Sequence, residues 1–380
     1  MRAAAEKKRI IYIGGFELPD KNAAAQRVMT NAVILRELGY DVVFIDIDRE
    51  CKEDILKTKR VCGGFDRWSV KYSNKRLYSS SDFKKVYGKY NDVAGVIAYN
   101  YPAAALYGIL RFCRRSKIWC AADCTEWYGA LAEDIITRAV KGVDSYLRMN
   151  IIQPRLDGVI AVSRYIYNYY SKRTNTVLLP PLVDARDEKW HGKNIGERLV
   201  FSFVGTLGVE KDRPNYMVEA FSKIKSDYVF NIVGIPEEEY TAHYPEHREL
   251  IKQMRGKIIF RGTLPHKKAL EFVKNADFTV FCRDKTRMTN AGFPTKFVES
   301  ITCGTPVITT RTSDLGEYLK DGENGFFVDS IEDDLPRIFE RGTAKLKSMS
   351  GSVDKDTFDY RRYEDKMKNW IISLEKRKTD

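Results

Sequence analysis

The chain has 380 residues, with 64 Lys and Arg against 52 Asp and Glu, a formal charge of +12 at pH 7. That length exceeds what one hydrophobic core usually serves, so two domains of roughly 180 residues each are expected. With 43% hydrophobic and 31% charged residues and scattered Gly and Pro, the composition excludes a fibrous or broadly disordered chain.

No apolar run reaches the roughly 18 residues of a membrane span, and MRAAAEKKRIIYI leads into a strand without a secretory core. A cytoplasmic protein is expected, or one peripheral on the inner face of the membrane. The seven cysteines form an odd set with no C-x-x-C pair and read as reduced and buried. The four histidines all lie in the second half and share no ligand spacing with those cysteines, so neither a metal nor a cofactor is expected.

Strand-like runs open the chain at 9–13, 41–47, 95–99, 117–122, 158–162 and 176–179, with helical runs between them. The clearest helix is 22–39, whose Val28, Ala32, Leu35 and Leu38 keep helical spacing before Gly39. After the first strand, IGGFELPDKNAAAQR places Gly14 and Gly15 where a backbone can approach a ligand, with Arg27 in the helix beyond; a tight turn explains the glycines as well. The G-x-G-x-x-G fingerprint is missing, which argues against a nicotinamide or flavin site, and Asp46 is the one feature in favour. Asp46 and Asp48 form a D-x-D, although their surroundings do not match a metal-binding acid pair.

Between Lys52 and Tyr90 stand eleven Lys and Arg against four Asp and Glu, interleaved with Trp68, Tyr72, Tyr78, Phe83, Tyr87 and Tyr90. Such a segment suits anionic lipid, nucleic acid or a phosphorylated substrate, or is a solvated basic face. In CAADCTEWYG, Asp123 ends a strand and Glu126 follows it. Carboxylates there can hold a reacting hydroxyl, or Asp123 can cap the next helix. Tyr99, Asn100, Ser163 and Arg164 also close strands and are candidates for the acceptor side.

Paired prolines and a polar stretch in LLPPLVDARDEKWHGKNIGERLVFSFVG mark a boundary near 190. Strands follow at 199–204, 228–233, 257–262, 277–282 and 306–310, and a last helix is read at about 358–377. The alternation predicts an α/β protein of two Rossmann-like parallel-sheet domains facing across a cleft, with ligands at the carboxyl ends of the strands.

In FVGTLGVEKDRPNYMVEAF, Gly205 and Gly208 allow a tight loop before a helix opened by Pro214, and Lys211 and Arg213 flank its start. A phosphate would meet backbone donors, an ammonium and a guanidinium there. NAGFPTKFVESITCGTPVITT repeats the device: Pro294 suits the first helical position, and the N–H groups of Thr295, Lys296 and Phe297 crown the helix. Phe297, Val298 and Ile301 make its apolar side, and Lys296 and Glu299 share another face. Glu299 can accept from two ribose hydroxyls, or pair with Lys296. Together the two loops predict a ligand with a diphosphate and a ribose.

The segment GFPTKFVESITCGTPVITT resembles the P-x-K-x-x-E…G-x-P-V-I signature of GT-B glycosyltransferases of the retaining family 4 (glycosyl transferases group 1), of the bacterial polysaccharide type. GTLGVEKDRP, LDGVIAVSRY, LPPLVD, DGENGFFV and the opening GG…R…LRELGYDV fit their usual places, so the likeness covers most of the chain. It implies an acceptor-side domain at 1–190, a nucleotide-sugar domain at 191–355, and a helix at 356–380 returning to the first domain. It further implies transfer from a nucleoside diphosphate sugar to a glycan or lipid-linked glycan, retaining and metal-independent, in capsule, O-antigen or exopolysaccharide assembly. No nucleic-acid partner is expected, and 52–90 is expected to touch the membrane.

Donor binding falls to Gly15, Gly205, Thr206, Lys211, Arg213, Gly292, Phe293, Thr295, Lys296 and Glu299, and the chemistry to Asp123, Glu126 and Lys211. Three departures stand out: Ala291 occupies the place of the first Glu of the family's E-x7-E, Thr206 that of an Arg, and the first domain has no His. They leave the donor sugar open and admit two alternatives, a nucleotide-sugar-binding protein impaired in catalysis or a sugar-nucleotide epimerase.

Overall fold

The computed structural model describes residues 8–19, 21–127, 135–192, 196–207 and 212–379. The chain forms two compact units: Met1–Val183 with Ala291–Phe293 and Tyr360–Asp380, and Asp184–Asn290 with Pro294–Asp359. The first border lies ahead of residue 190. Trp190 is 2% exposed, and its indole N–H donates to the Asp184 carbonyl at 2.7 Å, which ties this stretch into the second unit.

The first unit is built on an eight-stranded sheet of β1 (Arg9–Gly14), β2 (Asp41–Asp48), β3 (Ile55–Val61), β4 (Phe65–Lys71), β5 (Val93–Tyr99), β6 (Trp119–Cys124), β7 (Gly158–Ala161) and β8 (Asn175–Leu178). Their spatial order is β3-β4-β2-β1-β5-β6-β7-β8. All neighbours run parallel except β3, which pairs antiparallel with β4 on the edge. Parallel strands are covered on both faces and read as continuous apolar runs, which is why IIYI, VVFI and GVIA are buried almost throughout.

Strands β3 and β4 occupy the segment read as a basic surface. Lys57 on β3 and Lys71 on β4 stand among Leu56, Trp68 and Val70, and charge of this kind protects a sheet edge from pairing further. The helix Ala23–Glu37 starts where Asn22 accepts from the N–H groups of Ala24 and Ala25 at 2.9 and 3.0 Å.

The last helix, Glu364–Thr379, buries Met367, Trp370, Ile371 and Leu374 in the same core as Tyr12, Trp119 and Ile160. Trp370 meets Trp119 edge to face at 6.5 Å and donates its indole N–H to the Asn175 carbonyl at 3.1 Å.

The second unit has six parallel strands: β9 (Leu199–Val204), β10 (Tyr228–Val233), β11 (Ile258–Gly262), β12 (Phe278–Phe281), β13 (Val307–Thr309) and β14 (Gly325–Phe327). They are ordered β11-β10-β9-β12-β13-β14. The three-residue β14, too short for a period to show, adds an edge beyond the strands expected. Phe201, Phe221, Phe230 and Phe278 fill the core, with Phe221 and Phe230 stacked at 4.2 Å.

In each sheet the chain reverses its direction of travel beside a central strand. β1 lies between β2 and β5, and β9 between β10 and β12. The carboxyl ends at such switch points are where ligands bind in open α/β sheets. Among the described residues no helix is long and apolar enough to cross a membrane.

Truncating Trp370 removes a buried indole and its hydrogen bond from the first unit's core. Trp370→Ala should lose about 3–5 kcal/mol of stability in urea unfolding.

Candidate functional site

At the switch point of the second sheet, β9 ends at Val204 and hands over to Gly205, while β12 ends at Phe281 and hands over to Arg283. The helix Thr295–Cys303 arrives beside them, its first residue preceded by Pro294 as N-cap and its end closed at Gly304. The helix thus begins one residue later than read. The Phe297 N–H already donates to the Pro294 carbonyl at 3.0 Å and is not open to an anion.

Lys296 is the centre of the cluster. Its Nζ sits 2.6 Å from Asp212 Oδ2 and 4.5 Å above the centroid of the Phe203 ring. A Cβ added at Gly205 would come within 2.8 Å of that ammonium, so the bare backbone leaves the Lys296 side chain room to lie over the strand end. The other oxygen of Asp212 accepts from Arg283 Nε at 2.9 Å. One carboxylate, 8% exposed, therefore holds two cations and leaves a net positive charge.

Burial alone would push the Asp212 carboxyl up, but the charges of Lys296 and Arg283 and their hydrogen bonds hold it down at about 2. Burial pulls the Lys296 ammonium down from its ordinary value, against the attraction of Asp212.

One turn along the helix, Glu299 Oε1 lies 2.9 Å from His266 Nε2, and the Glu299 side chain is 14% exposed. The alternative in which Glu299 pairs with Lys296 does not hold, since each has a separate partner. Arg213, at the start of the helix Pro214–Ser222, sends Nε and Nη2 to Asp284 Oδ2 at 2.9 and 2.6 Å. Thr206 is exposed after Gly205, Thr295 is half-buried, and Lys211 lies outside the described residues. Gly292 and Phe293 belong to the first unit, where Ser163 Oγ donates to the neighbouring Ala291 carbonyl at 2.7 Å.

In the first unit the structure corrects the reading of Asp123. Its carboxylate is fully buried, takes Arg27 Nε at 3.0 Å and Nη2 at 2.8 Å, and accepts from the Tyr12 hydroxyl at 2.5 Å. Asn31 Nδ2 reaches both the Tyr12 hydroxyl and Asp123, and Arg27 Nη1 donates to the carbonyls of Leu179 and Pro180. Such a closed network fastens β1, β6 and the first helix to the chain after β8, and it neither presents a carboxylate to an acceptor nor caps a helix. Glu126, three residues on, is half-buried.

Asp46 is likewise internal. It accepts from the N–H groups of Phe16, Glu17 and Leu18 at 2.8, 3.1 and 3.0 Å and pairs with Arg67 Nη2 at 2.6 Å. Arg67 also holds Asp48 at 2.7 Å, so both acids of the D-x-D serve one guanidinium. Asp46 thereby shapes the loop after β1, where Gly15 is exposed. There a Cβ at Gly14 would strike the Phe16 ring at 2.5 Å, whereas one at Gly15 would meet only the Ile47 carbonyl at 3.6 Å. The close approach belongs to Gly14.

The aromatic residues of 52–90 are largely spent on packing. Phe83 is buried, Tyr87 packs on Phe112 at 4.8 Å, and Trp68 donates to the Tyr90 hydroxyl at 3.0 Å. Asp212, Arg283 and His266 escaped the sequence reading. Arg283 had one available signal, a cation two residues past a strand end at a switch point.

Residues 184–336 match the family model described as Glycosyl transferases group 1. The second unit thus resembles a group 1 glycosyltransferase domain. Solved structures show the fold over nearly the whole length. Sucrose-phosphate synthase from Thermosynechococcus elongatus superposes with a TM-score of 0.70 at 14% identity, covering 97% of this chain and 99% of that one. The catalytic domain of starch synthase IV from Arabidopsis thaliana, bound to ADP and acarbose, gives 0.69 at 9% identity over 98% and 100%. HepE from Anabaena, in complex with UDP and glucose, gives 0.63 at 12% identity over 96% and 100%. These are GT-B glycosyltransferases, and GT-B is the fold class of this chain. Among curated proteins none matches the sequence.

Two variants test this geometry. Asp123→Asn leaves the Arg27 guanidinium buried without its counter-charge, and urea unfolding should show a loss of about 3–5 kcal/mol. For Asp212 the folded carboxyl titrates at about 2, below the ordinary value near 4. Its stabilisation is therefore complete above about pH 4 and disappears as pH falls through about 2, about 2 kcal/mol in all. Urea titrations across that window should show wild type losing this amount and Asp212→Asn losing none of it.

Proposed function

We propose that the chain transfers a glycosyl group from a nucleoside diphosphate sugar to an acceptor hydroxyl. The observation that carries the reading is Lys296, held over Gly205 at the switch point of the second sheet with Glu299 one turn further along the same helix. The group 1 family match over this unit supports it, as do GT-B structures that hold UDP with glucose or ADP with acarbose.

In this mechanism the diphosphate lies at the carboxyl end of β9. Glu299 accepts from the ribose hydroxyls, exchanging His266 for them. As the bond between the anomeric carbon and the diphosphate oxygen breaks, negative charge grows on the leaving group. Lys296, Arg283, Arg213, Lys211 and the Thr295 end of the helix stabilise it, so the step is assigned to protein cations with no metal ion. The sugar becomes oxocarbenium-like, and the acceptor oxygen bonds to the anomeric carbon as its proton passes to the departing phosphate. Glu126 is the carboxylate assigned to orient the acceptor hydroxyl, since Asp123 is sealed in the scaffold.

Retention at the anomeric carbon and a role in surface polysaccharide assembly rest on the likeness to family 4. So does a glycan or lipid-linked glycan acceptor, whereas a cytoplasmic site of action at the inner membrane face rests on the sequence's lack of a membrane-spanning apolar run and on the basic segment 52–90. A second reading, a nucleotide-sugar-binding protein impaired in catalysis, is favoured by Ala291, a buried methyl group where the family pattern has a carboxylate.

Thermal-shift measurements against a panel of nucleoside diphosphate sugars should identify a stabilising donor. Loss of the Glu299 carboxylate forfeits charge-assisted hydrogen bonds, so Glu299→Ala should weaken that donor about 10- to 100-fold by calorimetry. Unchanged affinity refutes the site. Binding without turnover, across donors and acceptors, selects the second reading.

A further inference from the structure

The first unit carries an apolar face that its own core does not use. In the helix Ile135–Tyr146 and its π-helical continuation Leu147–Ile152, the residues Val140, Val143, Leu147 and Ile151 fall at helical spacing. Such a stripe normally turns inward. Here Val140 is 53% exposed, Val143 59% and Tyr146 60%, and Tyr107 on the neighbouring helix Ala103–Arg115 is 50% exposed. The two helices enclose a groove of about 590 Å³ lined by Ala104, Tyr107, Val140, Val143, Leu147 and Ile151.

The charge on the two helices that form this face is mostly positive. Residues 103–118 and 135–155 contain eight Lys and Arg and a single acid, Asp144. All the cations except Arg148 are exposed. The Asp144 carboxylate accepts the Ala103 N–H at 2.9 Å, so it is engaged at the start of the neighbouring helix. The Arg111 guanidinium lies 5.8 Å from the Tyr107 ring, where the apolar groove meets its basic rim.

We propose that this face docks on a bilayer of anionic lipids, with Val140, Val143, Tyr146 and Tyr107 entering the headgroup boundary and Arg111, Lys141 and their neighbours pairing with lipid phosphates. Apolar residues flanked by Lys and Arg on a helix too short and too charged to span match an interfacial helix. A second copy of the chain fits poorly, because a two-fold interface would press two strongly basic faces together. The groove borders the 52–90 segment, whose Tyr78 also lines it, and the inference does not depend on the transfer reaction.

Purified full-length chain should co-sediment with vesicles of phosphatidylcholine and phosphatidylglycerol but not with phosphatidylcholine alone. Arg111→Gln and Lys141→Gln should each weaken binding about fivefold, and Val140→Glu combined with Val143→Glu should abolish it. All these positions are exposed, so melting temperature and donor-induced thermal shift should stay at wild-type values. Wild type remaining in the supernatant with anionic vesicles overturns the proposal. So does binding that survives both the glutamate and the glutamine substitutions. A wild-type dimer in size-exclusion chromatography that Val140→Glu with Val143→Glu splits would assign the face to self-association instead.

Discussion

A single buried carboxylate organises the carboxyl edge of the second sheet. Asp212 binds Lys296 with one oxygen and Arg283 with the other, and these two cations arrive from different connections. Neither long side chain would stay ordered over a strand end unaided, since each loses considerable rotamer freedom when fixed. The shared anion supplies the counter-charge, the ring of Phe203 supplies a floor, and Gly205 supplies the space. The two cations hold the Asp212 carboxyl down at about 2, so it stays ionised at neutral pH.

The first unit uses the same device twice for a different end. Asp46 gathers three consecutive backbone N–H groups and Arg67, which fixes the turn after β1. Asp123 gathers Arg27, Tyr12 and Asn31, which joins three elements and the chain after β8. Both are strand-end carboxylates at the expected edge of the sheet, and both are consumed by the scaffold. A buried ion pair of this kind adds little net stability over apolar packing but penalises every arrangement that separates its members. It therefore contributes to the geometry of the loops more than to the strength of the fold.

Much of the architecture was legible because parallel strands covered on both faces must be written as apolar runs. RIIYI, DVVFIDI and LVFSFV can hardly be anything else once helical periods alternate with them. The β3–β4 pair was not legible, since an edge strand carries charges that look like a solvated surface, and Arg67 in that stretch turns out to close an internal cluster. At the candidate site, the helix start at Lys296 and Glu299 could be read from spacing. Their partners could not: Asp212 and Arg283 lie 84 and 13 residues from Lys296, and His266 lies 33 from Glu299. Sequence also does not reveal which way a strand-end carboxylate points, which is why Asp123 and Glu126 looked equivalent. Their difference is set by Arg27, about a hundred residues away.

The pairing of Lys296, Arg283 and Arg213 changes how a diphosphate would be held on the proposed reading. Lys296, Arg283 and Arg213 already have carboxylates at 2.6 to 2.9 Å, so a phosphate does not meet bare charge. Its binding is an exchange of partners, and the gain is the difference between two ion pairs. At Asp212 the exchange is partial, because one carboxylate is divided between two cations: neither is fully compensated, and an added anion draws on the remainder of both. Ordering of the side chains has been met by folding and is not charged again at binding. The same division makes the cluster respond to growing negative charge on a leaving group, because the unmatched positive charge sits where the end of β9 would present it.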